Sequence, residues 1–269
     1  MQYLKKYQLM VLMMLGPLFL VAQKETTHSF SVPLSDPNAV GQLKVSLHNG
    51  SISVEGYSGK EVMVTMVIHE KEQPTSGTKS GLKRIPNTSR DFSVTEEGNV
   101  VRISAGNKKR TNFEVKVPED FSLSVSTHHN GDIKVSNLNG VFELSGHHGG
   151  IELFDVEGSA IADTHHGDIT ATFKAIKQNT PMAFSTYHGD IDISYPAQVN
   201  ASTKIRSERG DIYTDFELET KNSFKTQRIE SKSKTKIAIN EWIYAKIGNG
   251  GAEYMFTTHH GDVILRKNN

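Results

Sequence analysis

Three stretches of the chain carry nearly the same six residues: THHGDI from Thr164, TYHGDI from Thr186 and THHGDV from Thr258. Imidazole beside carboxylate is a donor set for zinc, nickel and copper. With 12 histidines and no cysteine in 269 residues, such a site would use nitrogen and oxygen alone. The phrase also has an architectural reading. Glycine reaches positive φ freely, and Asn or His does so more readily than most residues. An Asp that follows can accept bonds from backbone N–H groups at a corner. The choice between metal chemistry and a repeated corner turns on how the copies are arranged in space.

The phrase belongs to a longer repeat. Aligning on its apolar residue gives seven anchors: Ile52, Ile133, Ile151, Ile169, Ile191, Ile212 and Val263. Two residues before each stands a glycine: Gly50, Gly131, Gly149, Gly167, Gly189, Gly210 and Gly261. From Ile133 to Ile212 the anchors step by 18, 18, 22 and 21 residues. Within a unit, apolar and polar residues alternate, as in DIKVSNLNGVFELSG, and Gly, Asn and Asp interrupt the alternation. This is strand, turn, strand. No stretch after residue 22 has a helical period. A unit this short buries too few side chains to offset the ordering of its backbone, so the units must share a core by stacking. One identical corner per unit favours parallel stacking over antiparallel hairpins. The expectation is an all-β fold: a parallel β-solenoid, single-stranded β-helix-like, with coils of about 18–22 residues.

Parallel strands lie about 4.8 Å apart. Coils in register would place His148, His166 and His188 in one ladder and His129, His147 and His165 in another. These six are the candidate metal ligands. The ladder is expected to lose histidine at Arg209. Asp168, Asp190 and Asp211 would stack as well and would need a compensating partner. The glycine–aspartate spacing of nine-residue calcium solenoids is absent.

The rest of the chain sets the context. Lys5 and Lys6 precede the apolar run Leu9–Val21, and Ala22 offers a small residue for cleavage. This is the three-part layout of a signal peptide over 1–22, leaving a β-solenoid domain over 23–269. Without cysteine there are neither disulfides nor a lipidated junction, and no second apolar stretch reaches spanning length. Lys+Arg 30 against Asp+Glu 30 gives no net field towards nucleic acid. Two excursions from the coil are expected, at about 70–90 and 216–237. The second is rich in Lys221, Lys225, Arg228, Lys232, Lys234 and Lys236, a candidate contact for polyanions such as acidic polysaccharide or lipid headgroups. No Gly-x-Ser-x-Gly, His-Glu-x-x-His or P-loop is present.

The stretches VPEDFSLSVSTHHNGDIKVSNLNG, GNGGAEYMFTTHHGDVILRK and NGSISVEGYSG, with the repeated GDI units between them, occur in an order and spacing that resemble the DUF4097 family. These are bacterial adhesin-like, β-strand-repeat envelope proteins, and the similarity is greatest to Bacteroidetes members. The resemblance covers essentially the whole chain after the leader. It implies a β-helix-like fold, a cell-envelope address and no catalytic motif or cofactor; the doubled histidines depart from the general pattern. The expectation is therefore a non-enzymatic exported protein, periplasmic or cell-surface, whose rigid solenoid contacts an envelope protein or glycan. Two alternatives stand beside it: a polysaccharide-active β-helix enzyme, and a metal- or pH-responsive binder using stacked histidines.

Overall fold

A computed structural model describes residues 24–70, 78–79, 82–83, 92–106, 109–231 and 234–268. The expected leader, most of the expected excursion at 70–90, and Lys232 lie outside the described residues. Alternation produces strands as anticipated. In Gly41–Asn49, Leu43, Val45 and Leu47 are buried while Gln42, Lys44 and Ser46 face outward. Twenty strands join one mixed sheet, and there is no helix among the described residues.

The repeat forms two parallel ladders that meet at the corner. One ladder holds the strands before the glycine. There, Val45 pairs with Val125, Val125 with Leu144, Leu144 with Ala162, Ala162 with Phe184, Phe184 with Phe256, and Phe256 with Ile205. The other ladder holds the strands after it. Ile52 pairs with Ile133, Ile133 with Ile151, Ile151 with Ile169, Ile169 with Ile191, Ile191 with Val263, and Val263 with Ile212. Most of these residues are buried, and both ladders contribute to one core. Aromatic rings stack along it: Phe184 on Phe256 at 5.6 Å, and Phe173 on Tyr195 at 5.3 Å.

Two expectations are corrected. The sheet is mixed rather than wholly parallel. Lys24–Pro33 pairs antiparallel with Glu61–Glu70, which pairs antiparallel with Arg110–Pro118. Phe92–Glu97 likewise flanks Val100–Ala105. A parallel stack needs long returns between its strands, whereas its ends can be covered by neighbours reached through short turns. Second, spatial order departs from chain order. The final winding, Glu253–Thr258 with Val263–Asn268, lies between Met182–His188 with Ile191–Pro196 and Ala201–Ser207 with Ile212–Thr214. The expected excursion at 216–237 lies in an antiparallel pair, Leu218–Ser231 with Lys234–Ile247, whose base pairs with Ala201–Ser207.

The seven glycines do form one line. A Cβ on Gly131, Gly149, Gly167, Gly189, Gly261 or Gly210 would lie 1.8–2.3 Å from a glycine carbonyl oxygen of the adjacent winding. No side chain fits, and the obstacle is backbone, which cannot swing away. Gly189→Ala should therefore cost about 3 kcal/mol, a drop in melting temperature of roughly 6–12 °C. Gly98→Ala provides the comparison. It faces open space, and its φ of +57° alone should cost about 1 kcal/mol. Thermal melts of the two variants check this; equal losses would contradict the close-approach argument.

Candidate functional site

Every part of the repeated phrase has a mechanical task at the corner. The hydroxyl that opens it donates to the glycine carbonyl of the adjacent winding. Thr127 reaches Gly50 O at 2.8 Å, Thr164 reaches Gly149 O at 2.8 Å and Thr186 reaches Gly167 O at 3.0 Å. Thr258 does the same to Gly189 O at 3.0 Å, and Ser207 to Gly261 O at 2.8 Å. The Asp accepts a backbone N–H from the winding on its other side. Gly150 N donates to Asp132 at 2.9 Å, Asp190 N to Asp168 at 2.9 Å, Asp262 N to Asp190 at 2.8 Å, and Asp211 N to Asp262 at 2.8 Å. The expected carboxylate column is thus compensated by peptide dipoles, with Asp262 inserted between Asp190 and Asp211.

Between hydroxyl and glycine, two residues per winding project at the edge, and their rings form two adjacent columns. The first runs His48, His128, His147, His165, Tyr187, His259, with successive centroids 5.5, 4.6, 5.1, 5.0 and 4.5 Å apart. The second runs His129, His148, His166, His188, His260, at 5.3, 5.1, 5.1 and 4.6 Å. The ladder of His148, His166 and His188 is present as expected. His129 is not in line with His147 and His165 but heads the other column. The reason is Asn130, one residue more than the other corners have, held at φ 52°. Strand pairing aligns Thr127 with Gly146, so His128 meets His147 and His129 meets His148.

His48, His128, Tyr187, His259 and His260 were not among the candidates. Counting from the strand rather than from the anchor would have found His48 and His128. His259 and His260 depend on the intercalated last winding, which carries both columns past the expected break at Arg209. The first column ends on acid: His259 Nε2 lies 3.0 Å from Glu208, which also contacts Arg206.

Within a winding the two imidazoles face each other through Nδ1. His147 and His148 approach to 3.0 Å and His165 and His166 to 2.9 Å. Across windings, ligating nitrogens of His147, His148 and His166 all lie within 4.8 Å of one another. Of the six candidates these three form the one such group found among the described residues. His165, His129 and His188 adjoin it through ring contacts with His166 and His148.

Elsewhere, Lys221, Lys225, Arg228, Lys234 and Lys236 lie on the paired backbone of the C-terminal hairpin, and their side chains are outside the described residues. Trp242 is half-buried, with Lys204 Nζ 4.5 Å and Arg206 Cζ 5.7 Å from its ring centre. A shallow cleft lies near Lys174, Ile176, Asn179, Pro196, Val199 and Gly250.

Crowding makes four histidines of the columns resist protonation. His129, His147 and His166 are pushed below the ordinary value of 6.5, first by partial burial against neighbouring rings and then by the nearby imidazoles. His260 is lowered by burial, then by Arg209, then by His259 and His188, with Glu208 opposing. A depressed histidine binds fewer protons folded than unfolded, so its contribution is complete above about pH 6.5 and is lost as pH falls through the folded value. Melting temperature should therefore fall between about pH 7.5 and 5. The fall should shrink in a His147→Asn, His166→Asn variant and in high salt, which screens repulsion between rings. Melts that do not move over this range, or an unchanged slope in the variant, would contradict it.

The family profile of Toastrack DUF4097 matches residues 3–266. Among solved structures, a "putative cell adhesion protein" from Clostridium sporogenes aligns at 14% identity and a TM-score of 0.43, covering 91% of this chain and 100% of its own. No match was found among curated proteins. The chain belongs to the Toastrack DUF4097 family.

Proposed function

We propose that this is an exported, non-enzymatic envelope protein. Its stacked windings serve as a rigid, solenoid-type scaffold for adhesion-type contacts with an envelope protein or glycan. The observation that carries the reading is the in-register stack itself. Paired strands, a common core and a hydroxyl or carboxylate tie between successive corners fix the outer edge, so that it repeats at intervals near 5 Å over successive windings. Such an edge suits an extended, repetitive partner. The leader-like residues 5–22 support an exported address.

A glycan-hydrolysing enzyme needs two carboxylates facing each other across a sugar. The recurrent acids Asp132, Asp168, Asp190 and Asp262 instead hold backbone N–H groups of neighbouring windings. That favours architecture over chemistry for them.

Expression in a bacterial host of the native type, followed by fractionation and N-terminal sequencing, tests the address. The expected product begins at Gln23 and is found outside the cytoplasm. A cytosolic chain that keeps residues 1–22 would overturn the reading. On a glycan array, replacing Lys221, Lys225, Arg228, Lys232, Lys234 and Lys236 with Gln should weaken retention of acidic glycans. Unchanged retention would remove this segment from the binding surface.

A further inference from the structure

Adjacent residues of a strand normally point to opposite faces. His147 and His148, at the end of the strand Asn139–Gly146 where the chain turns into the corner, do not, and the same holds for His165 and His166 at the end of Ile151–His166. The rings of His147 and His148 therefore meet, with centroids 4.4 Å apart and Nδ1 atoms 3.0 Å apart. The stack then brings a third imidazole alongside, since His166 lies on His148 at 5.1 Å with ring planes 2° apart. The backbone beneath is fixed by two hydrogen bonds, His166 N to His147 O and Gly149 N to His166 O, each 2.9 Å.

We propose that His147, His148 and His166 bind one divalent transition-metal ion of the zinc, copper or nickel class. Imidazole nitrogens at 2.0–2.1 Å from a tetrahedral zinc stand about 3.4 Å from one another. The 3.0 Å pair is already near that separation, and the group spans no more than 4.8 Å. His148 and His166 are exposed and His147 half-buried, so small side-chain rotations can close the group. The Nδ1–Nδ1 contact has room for one shared proton, and the cation would take that proton's place. Three nitrogens leave a coordination position for water or a ligand donor, and an all-imidazole set suits zinc, copper and nickel rather than calcium or magnesium.

The columns explain why the site falls here. Full pairs of imidazoles occur on three successive windings, at His128 and His129, His147 and His148, and His165 and His166, and again at His259 and His260 beyond Tyr187 and His188. Of the three successive pairs, the central one is flanked by a full pair on each side. Beyond it, Tyr187 interrupts the first column. Below it, the extra residue Asn130 alters the corner that carries His129. The inference is independent of where the protein is located or what it contacts.

The purified, tag-free chain titrated calorimetrically with zinc sulfate tests the site. One zinc per chain is expected. His147→Asn, His148→Asn and His166→Asn should each weaken binding by about tenfold or more. His48→Asn and His260→Asn, on the same columns but outside the group, should leave the affinity within about twofold of the parent. No binding, or equal weakening by all five substitutions, would overturn the proposal; the latter would reveal diffuse surface binding. X-ray absorption of the zinc complex of the parent chain needs no variant to fold. Three imidazole ligands are expected there, and fewer than two would overturn the assignment.

Discussion

The closeness of successive corners governs this molecule. At six of the seven corners a glycine passes over the carbonyl of the glycine in the adjacent winding, at a distance that leaves no space for a β-carbon. The Thr or Ser hydroxyl on one side engages that same carbonyl, and the Asp on the other side takes a neighbouring N–H. Three residue types thus lock one winding to the next through backbone atoms. Because side chains alternate along a strand, a slip of one residue would send every core side chain to solvent. The corner and the core therefore enforce the same register, and the ring columns are a consequence of it.

A stack of parallel windings leaves unpaired edges, and its two ends are treated differently from its middle. At one end Phe92–Glu97 covers the ladder before the corner, and Lys24–Pro33 with Glu61–Glu70 covers the ladder after it. At the other end the hairpin of Leu218–Ser231 and Lys234–Ile247 lies on Ala201–Ser207. From there the chain crosses to the inner side of that strand and inserts its last winding. Asn268 then donates to Phe173 O at 2.7 Å, tying the end of the chain to the stack. Antiparallel neighbours at the ends close off edges that would otherwise offer pairing sites to other chains.

Local residues carried most of this information. The period, the glycine line, the buried anchors and the role of Asp all follow from contacts between like positions of a repeat, and a repeat displays its like positions openly. The order of the windings was not legible. Val263 and Ile212 satisfy the same pattern as Ile191, and nothing in a twenty-residue unit states which unit it will lie on. The address of His129 failed for a narrower reason. Two features set the alignment, strand pairing and the anchor, and they disagree by one residue at Asn130. Strand pairing decides where the rings go, because they extend from the strand end. The three-histidine group was half legible: its members were among the candidates, but the choice of three from six needed the geometry of the turn.

The columns also explain which side chains such an edge can carry. In-register stacking brings each exposed residue to about 5 Å from its copies above and below. A column of lysines there would repel itself at every step. A column of carboxylates survives just past the glycine because each takes a peptide N–H from the next winding, a donor the backbone supplies in the same register. The ring positions have no such repeated donor, so within the stack they suit a polar group that can remain uncharged near neutrality and whose faces stack, and the charged Glu208 and Arg209 stand only at the end winding. Imidazole meets both conditions, and Tyr187 meets them where histidine is replaced. Imidazole thus suits the stacking constraint before any ligand is considered, and an edge that carries imidazole nitrogens at fixed spacing is also one that can receive a cation.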